Sequence, residues 1–257
     1  MIRRLALALL FFLLAGPAGA ARVVSLNLCT DEFLLLLAPE QAVAVSFLAA
    51  EPSMSVVSAA ARLVPQVRAD AEAVLRLHPD LVLAGPYGAQ TTLALLERRG
   101  LRVERLGLPE DFAAIRAETR RAAALLGVPA RGEALLAEMQ ARLDSVPPAA
   151  VPPLRAVMLE ARGYVAGPDS LAGGVLRAAG LAGDAGVGGQ PGLEAFVVHP
   201  PDLLVTATAP AFPSMATDLL RHPALAGIPR REVPPALLLC GGPWTAAAVT
   251  LLAGPAP

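Results

Sequence analysis

Few of the residues able to do chemistry in this 257-residue chain are grouped as chemistry requires. The three histidines, His78, His199 and His222, are each followed by proline. A His-Pro pair ahead of an apolar run serves as turn punctuation more readily than as a general base. No GxSxG, HExxH, P-loop or strand-borne GxGxxG occurs, and the glycines of "GDAGVGG" (183–189) follow a helical stretch in a loop. Acidic residues are scattered, with no pair set apart as acid and base. Catalysis is therefore not expected, and neither is a cofactor. Cys29 and Cys240 are the only cysteines, 211 residues apart (240 minus 29). With no CxxC and no nearby histidine they make a weak zinc signal, and a disulfide or two separate thiols fit equally well.

One pattern occurs twice. "EAVLRLHPDLVLA" (72–84) and "EAFVVHPPDLLVT" (194–206) share Glu, Ala, Pro, Asp and Leu at matching positions, with an offset of 122 residues (194 minus 72). Each copy reads as a glutamate, an apolar helical turn, a Pro-Asp and a buried strand. Both Glu72 and Glu194 fall where a first-turn glutamate would stabilise its own helix dipole.

Hydrophobic residues make up 55% and charged residues 17%, so the chain can bury a sizeable core and disorder is excluded. Net charge is −1 and aromatics are 4%, which argues against nucleic acid on both electrostatic and stacking grounds. The opening "MIRRLALALLFFLLAGPAGA" has a basic start, an apolar core too short to span a bilayer, and a small-x-small end at Ala18-Gly19-Ala20. Residues 1–20 are expected to be a signal peptide cleaved after Ala20, which makes a disulfide permissible. Removing Arg3 and Arg4 leaves 19 basic residues (21 minus 2) against 22 acidic, a net of −3.

Short apolar runs then alternate with helical stretches. "RVVSLNL" (22–28), "AVAVS" (42–46), "DLVLAG" (80–85) and "LRVERLGL" (101–108) read as strands, with helices from Thr30 and over 89–100. Two helices follow with no strand between them, over 110–127 and 128–145, and the second carries Pro129 in its first turn. The proline-rich "VPPAAVPP" (146–153) cannot continue it. The rhythm then restarts, with strands over 155–160, 202–207 and 231–239 and helices over 169–180, 213–223 and 244–254. The expected fold is α/β, two Rossmann-like lobes with central mostly parallel sheets joined by a long backbone helix. The expected organisation is an N-terminal lobe over 21–127, the linking helix and connector over 128–153, and a C-terminal lobe over 154–257.

The opening strand with "TDE", the "E-A…L…HPDLV" segment with its echo, and the closing "CGGPWT" together resemble the periplasmic substrate-binding proteins of ABC importers. The similarity covers 21–254 and is greatest to the helical-backbone class that carries cobalamin and ferric siderophores, of vitamin B12-binding-protein type. It implies a monomeric periplasmic receptor that binds a metal chelate between its lobes and delivers it to the permease subunits. In that class one exposed glutamate on each lobe meets arginines of a two-fold symmetric permease, and by position these are Glu72 and Glu194. A symmetric receiver needs two equivalent donors. An exported sensor or enzyme on a similar two-lobe scaffold is the alternative.

Ligands of such a fold sit beyond the carboxyl ends of the strands. The candidate ligand-binding residues are therefore Asn27, Cys29, Thr30 and Tyr87 in the first lobe, and Arg162, Tyr164, Cys240 and Trp244 in the second. Arg162 suits an anionic group or a loop cap. Trp244 suits a planar ligand or the packing of the last helix. Where the B12-binding type has a cleft tyrosine, this chain has Leu48 in "AVAVSFLAA", and its loop "LLLCGGPW" lacks the aromatic that precedes it there. A siderophore or haem-like chelate thus stands beside a corrinoid as the implied ligand. A bare metal ion, which related receptors hold with a histidine-rich set, is not expected.

Overall fold

The computed structural model describes residues 20–183, 189–208 and 218–254. The expected signal peptide lies outside them, apart from Ala20. No described helix is long and apolar enough to cross a membrane.

Two sheets organise the chain, and every strand pairing in them is parallel. The first contains β1 (Val23–Ser25), β2 (Ala42–Ser46), β3 (Gln66–Val67), β4 (Leu81–Ala84) and β5 (Val103–Arg105), in the order β3-β2-β1-β4-β5. The second contains β6 (Arg155–Leu159), β7 (Ala182–Gly183), β8 (Leu203–Ala207) and β9 (Arg230–Val233), in the order β7-β6-β8-β9. All four residues of β4 are buried, as are the last four of β6. Continuous apolar runs of this kind, rather than alternating ones, are what a sheet covered by helices on both faces demands. The helices are α1 (Leu28–Leu37), α2 (Ser58–Ala61), α3 (Ala71–Arg76), α4 (Gln90–Arg98), α5 (Phe112–Leu125), α6 (Pro129–Asp144), α7 (Leu171–Ala178), α8 (Leu193–Val198) and α9 (Ala246–Leu252). The α/β, two-lobe reading holds.

The sequence echo is a structural echo. Helices α3 and α8 precede β4 and β8, and those strands pair with β1 and β6, the first strands of their sheets. In each copy an arginine and the Pro-Asp aspartate exchange two hydrogen bonds. Arg22 N–H donates to Asp80 Oδ2 (2.8 Å) while Asp80 N–H donates to the Arg22 carbonyl (2.8 Å). Arg155 and Asp202 repeat this at 2.8 and 2.9 Å. The arginine side chains then close the turn, Arg22 on the carbonyls of Leu77 and His78, and Arg155 on that of Pro200. Each Asp thus fixes where its strand enters the sheet.

Between the sheets, α5 and α6 form a hairpin. Gly127 turns it with φ +72°, a conformation that only glycine adopts without strain. At 16 residues, α6 is about 24 Å long. Its Leu136 and Met139 pack with Ile115 of α5 and Ala246 of α9, which joins the hairpin to the second lobe. The first lobe's core in turn receives Leu135 and Trp244.

Several elements differ from expectation. Helix α1 begins at Leu28 rather than Thr30, because Asn27 caps it. The strand expected over 101–108 is only β5. That over 231–239 stops at Val233, since Pro234 and Pro235 cannot extend a ladder and start a 3-10 turn over Pro235–Leu237. Part of the helix expected over 213–223 lies outside the described residues; 219–225 forms two 3-10 turns, each capped by or starting at the His222-Pro223 junction. The closing helix is preceded by another 3-10 turn, Pro243–Thr245.

The hairpin depends on Gly132. A Cβ there would lie 2.6 Å from the Ala123 Cβ across the α5–α6 contact. Gly132→Ala should therefore lower stability by about 1–3 kcal/mol, against the sign of helix propensity. A fall in the urea midpoint at unchanged m-value is the expected result.

A candidate ligand mouth at the carboxyl ends of the strands

The start of α1 follows β1 closely and carries three consecutive buried polar residues, Thr30, Asp31 and Glu32. Asn27 Oδ1 accepts from the Cys29 N–H (3.0 Å), and Gly85, just past β4, leaves room for that amide, since a Cβ there would lie 2.7 Å from Asn27 Nδ2. Thr30 Oγ1 donates to the Asn27 carbonyl (2.9 Å) and lies 2.7 Å from Ser25 Oγ. Asp31 and Glu32 are both 0% exposed. Asp31 accepts from Ser46 twice, at Oδ1 from the N–H (3.1 Å) and at Oδ2 from the hydroxyl (2.5 Å). Glu32 Oε1 accepts from the Val56 N–H (2.9 Å), while its Oε2 is buried with no partner. Burial pushes Asp31 up from 3.8 to about 7, outweighing the hydrogen bonds from Ser25 and Ser46. Burial likewise pushes Glu32 up from 4.5 to about 8, with the neighbouring Asp31 carboxyl adding to the rise.

Cys29 and Cys240 form a disulfide with their Cα atoms 5.2 Å apart. This resolves the alternatives that spacing left open. Cys29 lies in the first turn of α1, after β1, and Cys240 in the loop after β9, so the bond joins the carboxyl ends of both sheets. Next to it, a Cβ on Gly241 would lie 2.5 Å from the carbonyl oxygen of Pro109, which follows β5. The carboxyl ends of the two sheets therefore border one seam.

Three aromatic side chains stand exposed along that seam: Phe47 (50%) after β2, Tyr87 (77%) after β4 and Tyr164 (46%) after β6. Arg68, just past β3, sits over the Phe47 ring, 5.4 Å from its centroid. Arg162, in the 3-10 turn after β6, is exposed with φ +63°. Beneath Tyr164's loop, a cavity of about 240 Å³ opens at the ends of β6, β8 and β9. Its walls include Met158, Val205, Val233 and Leu239, with Glu160 at the edge, where burial raises the carboxyl's pKa.

Of the residues singled out from sequence, Tyr87, Arg162 and Tyr164 face solvent in loops at this seam. Asn27, Cys29, Thr30, Cys240 and Trp244 make internal contacts that frame it. Thr30 is 0% and Cys240 1% exposed. The Trp244 indole N–H donates to the Cys240 carbonyl (3.1 Å), and its ring lies 5.3 Å from that of Phe33, tilted by 59°. Phe47 and Arg68 were not anticipated, although Phe47 follows "AVAVS" directly and the rule of reading strand ends applies to it. Glu72 and Glu194 occupy equivalent first-turn positions, both exposed. Glu72 pairs with Arg76 (2.8 Å), whereas Val198 stands at the corresponding place after Glu194. The three histidines all precede strands, at the end away from the seam. No cluster of three or more His, Cys, Asp or Glu able to hold a metal ion occurs among the described residues.

This architecture is that of a bilobed binding protein. The chain belongs to the periplasmic binding protein family, whose sequence profile it matches over residues 23–229. Among solved structures it is similar to the apo form of the periplasmic haem-binding protein RhuT from Roseiflexus sp., with 26% identity, TM-score 0.70, and 90% of this chain and 96% of that chain covered. A periplasmic haem-binding protein from Pseudomonas aeruginosa gives 27% identity, TM-score 0.67 and coverage of 90% and 91%. A possible iron-binding, periplasmic solute-binding protein from Staphylococcus epidermidis shares the fold at 18% identity, TM-score 0.75 and coverage of 90% and 96%. No curated protein matches the chain.

The buried carboxyls predict a pH dependence. Both have folded pKa values above their unfolded ones, so near pH 5–7 the folded chain holds protons that the unfolded chain has released. Stability must then fall as pH rises, from near 4 to about 7 for Asp31 and to about 8 for Glu32, by at most about 1.4 kcal/mol per pH unit for each group. Melting temperature measured from pH 5 to 8 should decline, and Asp31→Asn with Glu32→Gln should flatten the slope.

Proposed function

We propose that this protein is an exported receptor that takes an iron chelate of haem type into the seam between its lobes and hands it to an ABC permease. The observation that carries the reading is the set of exposed rings, Phe47, Tyr87 and Tyr164, contributed by both lobes to the carboxyl ends of their sheets. Exposed aromatic rings at a shared seam suit a flat, largely apolar ligand. Arg68 and Arg162 supply cations for carboxylates at that ligand's edge. The relatives from Roseiflexus and Pseudomonas, both named as haem-binding, support the same class.

Iron in haem is held by His, Cys, Met or Tyr. The described histidines lie at the opposite ends of the strands, and the cysteines are bonded to each other. Met158 is buried in the β6 core. Met139 is likewise buried and Met54 is half-buried, so among the described side chains exposed at the seam a phenol is the iron ligand of choice. Tyr87 projects furthest, from a loop turned by Gly88 at φ +78°, so we assign the iron contact to Tyr87 and a flanking ring contact to Tyr164.

Titration with hemin, cyanocobalamin and ferric siderophores, read by the fluorescence of Trp244, tests the ligand class. Hemin is expected to bind and to give a shifted Soret band. Tyr87→Phe should weaken hemin binding by about tenfold or more and move the band, whereas Tyr164→Phe should leave the band in place. Tight cyanocobalamin or siderophore binding with none of hemin would replace the haem assignment.

Delivery is assigned to Glu72 and Glu194 as the paired docking carboxylates. Exposed ion pairs contribute about 0–1 kcal/mol each, so their main effect is on encounter rate and register. In liposomes holding the cognate permease and ATPase, charge reversal at both positions should abolish uptake with hemin affinity unchanged. Because Glu72 is already paired with Arg76, reversal at Glu194 alone should have the larger effect. Unimpaired uptake by the double variant would remove the docking assignment.

A further inference from the structure

The segment Ser46–Val56 starts at the last residue of β2, which pairs with Val67 of β3, carries Phe47 at the seam and returns to the first lobe's core; beyond Ser46 no strand ladder holds it. Its internal bonds are short-range: a 3-10 turn over Phe47–Ala50, and the N–H groups of Met54 and Ser55 on the Glu51 carbonyl. Ala49, fully buried, is its apolar footing. A pair of consecutive side chains on α1 bonds to both ends, adding to the β3 pairing at Ser46 and acting without a ladder at Val56. Asp31 receives both the N–H and the hydroxyl of Ser46 at one end, and Glu32 receives the N–H of Val56 at the other.

We infer that Asp31 and Glu32 are positioning residues which pin the two ends of the Ser46–Val56 segment from beneath and thereby set the height and tilt of Phe47 at the ligand mouth. Two adjacent carboxyls, both fully buried and one with an unpartnered oxygen, are an expensive arrangement within an apolar helix. A helix needs neither for its own hydrogen bonding, since Asn27 already caps it. Consecutive helical residues point about 100° apart. That divergence lets one turn of α1 reach both ends of a segment eleven residues long. The Phe47 ring, 5.4 Å beneath the Arg68 guanidinium, is carried by the residue next to the Asp31 anchor, so any slip of that anchor moves the ring directly.

The inference rests on the reading of the seam as the ligand mouth, and the test separates the two. Hydrogen exchange of residues 46–57 is measured in the full protein for Glu32→Ala and Asp31→Ala, with Glu32→Gln and Asp31→Asn as milder variants that keep an acceptor oxygen. Exchange in that segment should rise by about tenfold or more in the alanine variants and by much less in the amide ones. Hemin affinity is then measured for Glu32→Ala with and without Phe47→Ala. Acting through Phe47, Glu32→Ala should weaken binding several-fold when Phe47 is present and change it little when residue 47 is alanine. Unaltered exchange over 46–57, or an equal loss of affinity in both backgrounds, would overturn the inference. Should the unaltered protein fail to bind hemin, the haem reading falls and the exchange measurement alone decides whether the segment is pinned. If the alanine variants do not fold, Ser46→Ala decides: it removes the hydroxyl that Asp31 holds, so exchange over 46–57 should rise, and unaltered exchange would overturn the inference.

Discussion

The first turn of α1 is the constraint on which the mouth depends. Within six residues it caps its own helix with Asn27, bonds covalently to the other lobe through Cys29, ties back to β1 through Thr30, and buries the Asp31 and Glu32 carboxyls against β2 and the loop beyond it. Each of these groups would be costly to bury alone. With Ser25, Ser46 and Val56 they satisfy nearly all of their buried polar atoms, the exception being Glu32 Oε2. A network of that kind tolerates few alternatives, because moving one member strands the next. The rigidity of the seam thus comes from polar groups beneath it rather than from the exposed rings that line it.

The internal repeat separates into two parts once the hydrogen bonds are known. Its aspartates, Asp80 and Asp202, are explained within each lobe: they exchange bonds with Arg22 and Arg155 and fix the entry of β4 and β8. Its prolines shape the turn those arginines close. Its glutamates have no such internal duty in common. Glu72 bonds to Arg76 on its own helix, and the second copy has a valine in place of that arginine. A feature present in both lobes, exposed in both and held differently in each is unlike the structural parts of the echo, and it is there that a surface role for the repeat is concentrated.

Legibility in the sequence followed the physics of each element. Buried parallel strands are apolar throughout, so "LVLA" and "LLVT" announced themselves, and the long α5–α6 hairpin was clear from two helical stretches with no strand between them and the Pro129 start. Two-residue strands such as β3 and β7 carry no periodicity and left no trace. Pro234-Pro235 was a visible stop signal that an apolar run, "ALLL", obscured. The Cys29–Cys240 bond spans 211 residues, so only the folded chain brings the thiols together. "TDE" reads as an ordinary exposed first turn, with acids placed favourably for the helix dipole, and nothing local reveals that Asp31 and Glu32 point inward. Their burial depends on Ser46 and Val56, 15 and 24 residues away.

The two lobes contribute unequally to the seam, and the asymmetry has a structural origin. In the first lobe, α1 bonds to both ends of the segment that carries Phe47, and Gly85, two residues before Tyr87, packs closely against Asn27. Among its described residues the second lobe has no fully buried acid at the end of β6, where Glu160 is only partly covered. Its corresponding loop leaves an apolar hollow of about 240 Å³ floored by Met158, Val205 and Val233. The hollow and the rings Phe47 and Tyr87 thus belong to the carboxyl ends of different sheets, with Arg68 following β3 and Arg162 following β6. The disulfide and the Trp244–Phe33 contact join the lobes beside the opening.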